Sequence, residues 1–456
     1  MISLSAIGIC NAIHGRHVGG PLDRVVSGGV CTDTRALRPH CVFVALSGEK
    51  FDGNLFAPQA SKEAAVVIVS RVEPGMDESC AVLLVDDTLK ALQDLATWWR
   101  SCLSPIVIGL TGSNGKTSTK DLCASVLAQG FKTIATKGNL NNHIGVPLSI
   151  LEASPDVEAA VWEMGMNHRG ELAPLCAMTQ PTIGIITSIG SSHIEFLGTR
   201  ENIALEKCTV AKALPADGYM IYPVDCAFAE MIQSSTEATC ISCGIEQGVV
   251  QAKDLCTTSF GSRFALHLPE REPLTVELPI HGRHMVCNAL LAAATGWVCG
   301  LSTEQIAQGL SAIKLTHGRL HCEKINDILV IDDTYNANPD SMVAALVTTA
   351  ELPCRGRRIA VLGKMGELGD FSEKGHIIVG KKAEELAFDI VISVGDQAQI
   401  ITQAITNSGT ETHHFSSAEE AATWLKSTLH SEDIILFKGS RSARMEETLK
   451  KTFSTN

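Results

Sequence analysis

The stretch GLTGSNGKTSTK at residues 109–120 constrains this chain more than any other, because it follows a short apolar run at 106–110. A strand that turns through small residues straight into a helix belongs to an open α/β sheet. The spacing Gly112-x-x-Gly115-Lys116-Thr117 is one residue shorter between its glycines than the usual phosphate loop, but the physics is the same. Small residues let backbone N–H groups converge on an anion, the lysine reaches terminal phosphates, and the following hydroxyl can ligate Mg²⁺. The helix start adds its positive end. Residues 112–118 (Gly112, Ser113, Asn114, Gly115, Lys116, Thr117, Ser118) are therefore expected to hold nucleotide phosphates; a glycine-rich turn with no ligand is the alternative.

The 456 residues suggest three domains. The first, 1–104, has apolar runs at 42–46, 65–69 and 81–85 before a helical stretch at 88–102, and is expected to be a small α/β unit. The second, 105–318, carries the phosphate loop and further strand-like runs at 159–162, 182–187 and 218–222, the pattern of a mostly parallel sheet covered on both faces. Residues 239–279 alternate differently and are expected to form an antiparallel addition to it. The third, 319–456, alternates strands near 328–331, 358–362, 390–394 and 434–437 with helices, as a second, Rossmann-like sheet.

A net charge of −13 argues against a broad nucleic-acid or anionic-membrane footprint. The sixteen scattered cysteines fit reduced thiols better than a disulfide scaffold. With no basic leader and no apolar run of membrane-spanning length, a cytoplasmic protein is expected.

Glu163 closes the run at 159–162, where a carboxylate beside a phosphate loop is placed to hold the nucleotide's metal. His193 lies in the SSHIEFLG loop after the next run. Asn139 and Asn142 belong to a polar loop, NLNNHIGVP, that is either a ligand contact or a plain connector. Asp333, in DDTYNANPDSM, can bind metal or ribose hydroxyls, or help cap the next helix. Lys207 on its own reads as a solvated helix cation.

Taken together and in order, several segments resemble the Mur ligase family. They are the phosphate loop, GNLNNHIGVP, EMGMNHRGEL, SSHIEFLG with ENIALEK, HGRHMVCNALLAAA, DDTYNANPDSM, GKMGELG, KGSRSARME and the opening DTRALRPHCVFVALSGEKFDG. Within the family the DDTYNANPDSM form points to addition of D-alanyl-D-alanine to UDP-N-acetylmuramoyl-tripeptide, a step of peptidoglycan synthesis. The resemblance implies an ATP-dependent ligase: ATP phosphorylates the tripeptide carboxylate, and the dipeptide amine displaces phosphate from the acyl phosphate. It further implies Lys116, Glu163, His193 and Lys207 as catalytic, with Thr117 and Glu163 at one Mg²⁺ and His193 and a carbamylated Lys207 at a second. Asn288, Arg319 and Asp333 would meet the nucleotide. Asp33, Thr34, Arg35, Gly48 and Asp52 would form the uridine-diphosphate pocket, while Asn139, Asn142, Asn336, Asn338, Lys438, Ser440 and Arg441 would face substrate. A monomer is expected. Three positions depart from the family pattern: Lys364 where Asp is common, Met285 where a second amide is common, and His143 where an acid is common. A ligase for another amino acid or for folate polyglutamate, and a phosphate-loop regulatory ATPase, are the rival readings.

Overall fold

In the computed structural model, which describes residues 4–406 and 409–454, each of the three blocks is built on its own sheet. The first sheet has five strands in the order Arg16–Gly19, Ala81–Leu84, Val66–Val69, Val42–Val44 and Val30–Cys31, parallel except at the first pair. Val66–Val69 is apolar throughout and buried on both faces, as a central parallel strand requires. The helix Thr88–Ser101 begins where Asp87 accepts hydrogen bonds from Leu89 N and Lys90 N, at 2.8 and 3.0 Å.

The second sheet has nine strands. Its parallel part runs Thr133–Ala135, Ala159–Glu163, Ile106–Thr111, Ile183–Ile186, Tyr219–Pro223. The antiparallel addition expected over 239–279 needs correction. Thr239–Ile245 joins parallel to Tyr219–Pro223 and Val250–Thr258 parallel to it, so antiparallel pairing starts only with Gly261–His267 and Leu274–Leu278. Alternating burial in a strand reports a half-exposed face and carries no information about the direction of its neighbour.

The third sheet has six strands in the order His321–Ile325, Ile328–Asp333, Ile434–Lys438, Arg358–Gly363, Ile390–Val394, Glu411–Phe415, with antiparallel pairing only at the first pair. One apolar core runs from Leu110, Leu122 and Leu290 of the second block into Ile331, Met342 and Leu362 of the third. Another joins Val42, Leu92 and Trp99 of the first block to Trp162, Leu175 and Ile203 of the second. Continuous cores of this kind hold the blocks in register. No cysteine is disulfide-bonded, and among the described residues no helix is long and apolar enough to cross a membrane.

Candidate functional site

Three neighbouring parallel strands of the second sheet release their loops at one edge. In the sheet register Leu110 faces Glu163 and Thr111 faces Ile186, so the phosphate loop, the Glu163 loop and the loop at 187–193 emerge side by side. This is the place where open α/β sheets bind ligands.

The phosphate loop is held from below. Ser113 N donates to Ser188 O at 2.9 Å and Asn114 N to Ser188 Oγ at 2.8 Å, while Gly190 N donates to Ser113 Oγ at 2.9 Å. A Cβ at Gly112 would lie 1.8 Å from Thr187 Oγ1, so only glycine fits there. Gly115 has φ +80°, and a Cβ on it would meet Asn288 Oδ1 at 2.6 Å. That approach brings Asn288 against the loop and gives the HGRHMVCN segment a contact with it. The helix Lys116–Leu127 starts there, with Thr117 and Ser118 buried in its first turn. Lys116 Nζ donates to Gly112 O at 2.7 Å. Burial pushes its ammonium pKa down, opposed by Glu163 and Glu367 and reinforced by Arg319.

Glu163 is 1% exposed. Its Oε1 accepts from Asn141 Nδ2 at 2.7 Å, and its Oε2 is buried without a hydrogen-bond partner. A buried carboxylate oxygen left unpaired costs on the order of 1–3 kcal/mol or more, and it is an open ligand position for a hard cation. Asn142, by contrast, spends its Oδ1 on Ile144 N and Gly145 N at 3.1 and 2.9 Å, shaping the turn before the helix Gly145–Leu151. Asn139 is exposed in the same loop. Asn141 is the amide that sequence reasoning passed over; three near-identical neighbours leave the choice to the tertiary turn.

Lys207 is 1% exposed on the helix Arg200–Lys212. Burial drives its pKa well down, helped by the nearby Lys116 charge, with Glu206 opposing. The Glu206 carboxylate is itself engaged by Gly170 N and Leu172 N at 2.9 and 3.0 Å.

The third sheet presents its own loops to this edge. Asp333 and Lys438 are register partners on adjacent strands and form a buried ion pair; Lys438 also donates to Asn336 O at 3.0 Å. Burial pushes the Asp333 carboxyl up, against the pull of Lys438 and Arg319. Asp333 also accepts from Leu320 N at 3.2 Å, and the Arg319 guanidinium stacks 4.2 Å from the Tyr335 ring centre with its Nε unpartnered. Asn338 caps the helix Pro339–Glu351, and its Nδ2 donates to Asn114 Oδ1 at 2.7 Å and Ser192 Oγ at 2.5 Å. Asp340 Oδ2 accepts from Ser191 N and Oγ, both at 2.9 Å. Asn336 Oδ1 accepts from Arg441 N at 3.4 Å, Ser440 is buried beside Ser442, and Arg441 pairs with Glu446 at 2.9 Å.

His193, at φ +62°, lies with Nδ1 2.7 Å from Glu367 Oε2, an ion-pair distance whose angle falls outside strict hydrogen-bond geometry. The histidine holds the Glu367 carboxyl below its ordinary range, against the effect of burial. Asp340 and Glu367 were not singled out from the sequence, although both lie inside its segments DDTYNANPDSM and GKMGELG.

The first-block residues close on themselves. Asp33 accepts from Arg35 N and Arg35 Nε at 2.9 Å each and pairs with the guanidinium terminus at 2.6 Å, so its carboxyl is lowered to about 2, while Thr34 opens the turn between them. Gly48 lies in a short hairpin whose Asp52 accepts from Ser47 Oγ and Asn54 N and pairs with Arg71 at 2.6 Å. These contacts stay within the block.

The second and third sheets thus meet through the loops at their strands' carboxyl ends, with a phosphate loop, an unpaired carboxylate and several cations at the junction. That arrangement defines an anion-activating, nucleotide-type site. Residues 110–296 match the Mur ligase middle domain, and residues 318–441 the Mur ligase, glutamate ligase domain. A Bacillus subtilis (strain 168) protein named UDP-N-acetylmuramoyl-tripeptide–D-alanyl-D-alanine ligase is 37% identical, covering 99% of this chain and 98% of its own length. The Escherichia coli (strain K12) protein of the same name is also 37% identical, with 99% and 98% covered. MurF from Acinetobacter baumannii superposes with a TM-score of 0.90 at 32% identity, over 100% of both chains. A Thermotoga maritima MurF ligase in complex with ADP gives 0.83 at 26%, over 93% and 96%. The chain belongs to the Mur ligase family.

Proposed function

We propose that this chain is an ATP-dependent ligase that joins D-alanyl-D-alanine to UDP-N-acetylmuramoyl-tripeptide, releasing ADP and phosphate, in cytoplasmic peptidoglycan precursor synthesis. The full-length relatives of that name support the substrates, and the ADP complex of the Thermotoga maritima protein supports the nucleotide. The observation that carries the chemistry is the meeting of Lys116, the orphaned Glu163 Oε2 and His193 at one sheet edge, opposite Asp333 and Lys438.

A carboxylate resists attack by an amine until one oxygen becomes a phosphate leaving group, so the site must bring two anions together. Backbone N–H groups of residues 115–117, at the start of the helix, and the Lys116 ammonium would cradle the transferring phosphate. Asn288, pressed on Gly115, would fix the loop, and Arg319 and Asp333 would hold the nucleoside end. Among the described residues no three His, Cys, Asp or Glu side chains cluster as a metal cage. Glu163 and Thr117 nevertheless fit one Mg²⁺, which is commonly bound by one or two protein ligands plus phosphate oxygens and water, and His193 would serve a second. When bound, Mg²⁺ would neutralise phosphate charge as a Lewis acid. A carbamate on Lys207 would replace an uncompensated buried cation with an anionic oxygen donor. The suppressed ammonium pKa favours the neutral amine that such a modification requires.

On this reading residues 1–104 bind the UDP end, 105–318 the ATP, and 319–456 the dipeptide and the nucleoside. Junction of the blocks would exclude water from the acyl phosphate. Purified protein should release ADP only when both the UDP-tripeptide and D-alanyl-D-alanine are present. Nucleotide hydrolysis indifferent to both would instead identify a regulatory ATPase.

A further inference from the structure

Glu367 lies in the loop after the third sheet's strand Arg358–Gly363 and His193 in the loop after the second sheet's strand Ile183–Ile186, yet the two side chains meet at 2.7 Å. Both residues have left-handed backbones, φ +60° and +62°, a conformation that costs a non-glycine residue roughly 1–2 kcal/mol. Surrounding contacts hold the pair in place. Glu195 N donates to Glu367 O at 3.4 Å, and a Cβ on Gly369, φ +50°, would sit 3.2 Å from Glu195 Cγ. The His193 side chain is 17% exposed and that of Glu367 48%, so the pair sits at the rim of the junction with its imidazole inward.

We propose that Glu367 is a positioning residue for His193, delivered by the third block, so that the second metal site is completed only when the blocks are docked. This rests on the reading of His193 as a metal ligand given above. Imidazole has two nitrogens. With Nδ1 drawn to a carboxylate 2.7 Å away, the ring is oriented and Nε2 is the nitrogen left to offer an electron pair. Mg²⁺ prefers oxygen ligands, so an imidazole ligand benefits most from a partner that raises its basicity. Because the partner comes from another sheet, ion binding and docking are linked, and each must strengthen the other by the same factor.

The test is an electron-paramagnetic-resonance titration of Mn²⁺ into the full chain with ADP, comparing wild type, E367Q, H193A and the double variant. E367Q should weaken one Mn²⁺ site about 10- to 100-fold. The other Mn²⁺ constant, the metal-free ADP affinity and the melting temperature should stay unchanged. In the H193A background E367Q should add nothing, since its effect passes through that ring. Wild-type Mn²⁺ binding in E367Q, tighter binding there, or an undiminished E367Q effect without His193 each overturns the proposal. If H193A itself keeps both ions at wild-type affinity, the metal role of His193 fails, a separate result from failure of the Glu367 role.

Discussion

The side-chain amide of Asn338 donates to Asn114 Oδ1 at 2.7 Å while its oxygen caps the helix Pro339–Glu351 through Ser341 N at 2.9 Å. One residue therefore starts a helix in the third block and grips the phosphate loop of the second. Replacing Asn338 by Asp separates the two roles. Aspartate still caps, so the melting temperature should hold, but it presents no donor to Asn114 and sets a charge against its oxygen. The KM for ATP should rise by about tenfold, the size expected for one or two lost hydrogen bonds of ~1 kcal/mol each. Asn338→Ala should show the same loss and also cost about 1 kcal/mol of stability, measured by urea unfolding. Wild-type KM in Asn338→Asp would sink the latch.

Glu163 carries a buried oxygen with no protein partner, a cost to folding that a bound cation would offset. Glu163→Gln keeps an oxygen for Asn141 and removes the charge. ADP release should fall by about 100-fold or more, some 2.7 kcal/mol of lost stabilisation, while the melting temperature stays level or rises. Full activity in this variant would overturn the proposed metal-binding role of Glu163.

The strand-to-helix turns were legible because their information is local. Gly115 supplies a left-handed φ that side chains resist, and the apolar run before it forms the strand Ile106–Thr111. Glu163 was legible for a similar reason: it ends the strand next in the sheet. What escaped is what chain spacing does not encode. Nothing local distinguishes Asn141 from Asn142, since the first reaches Glu163 only after a turn that the second builds. Nor does a lysine in a helical ENIALEK pattern announce that it will be 1% exposed beside Lys116. The pairing of His193 with Glu367 joins residues 174 positions apart by chain number (367 − 193), in loops of two different sheets, and it exists only once those sheets dock. Parallel pairing at 239–258 was missed because strand direction follows from the connection, not from the side-chain pattern.

Lys207 has its ordinary ion pairing replaced by burial and a like-charged neighbour. Lys207→Ala should abolish most ligase activity without loss of fold, because a costly buried cation is removed. If a carbamate is what the reaction uses, formate or acetate at tens of millimolar should restore part of the rate in Lys207→Ala and nothing in Glu163→Gln. Unchanged activity in Lys207→Ala, or no rescue across short carboxylates, would count against that role.

Away from the site, Asp433 is 1% exposed and accepts four hydrogen bonds: Arg357 N at 2.9 Å, Arg357 Nε at 3.2 Å, Arg357 Nη2 at 2.7 Å and His430 N at 2.9 Å. Burial alone would raise its pKa, but Arg357 and the backbone donors overcome that and leave it below the ordinary carboxylate value. A depressed folded-state pKa means the unfolded chain binds the proton more readily, so this group stabilises the fold above about pH 4 and loses that contribution as pH falls toward the folded value. Asp433→Asn should therefore destabilise the protein by about 1.5–3 kcal/mol at neutral pH, because it weakens the charge-assisted bonds to the partly exposed Arg357. The deficit relative to wild type should shrink steadily as unfolding is measured at pH values below 4. A deficit that stays constant from pH 7 down to pH 3 would show that shape, rather than charge, holds this end of the third sheet.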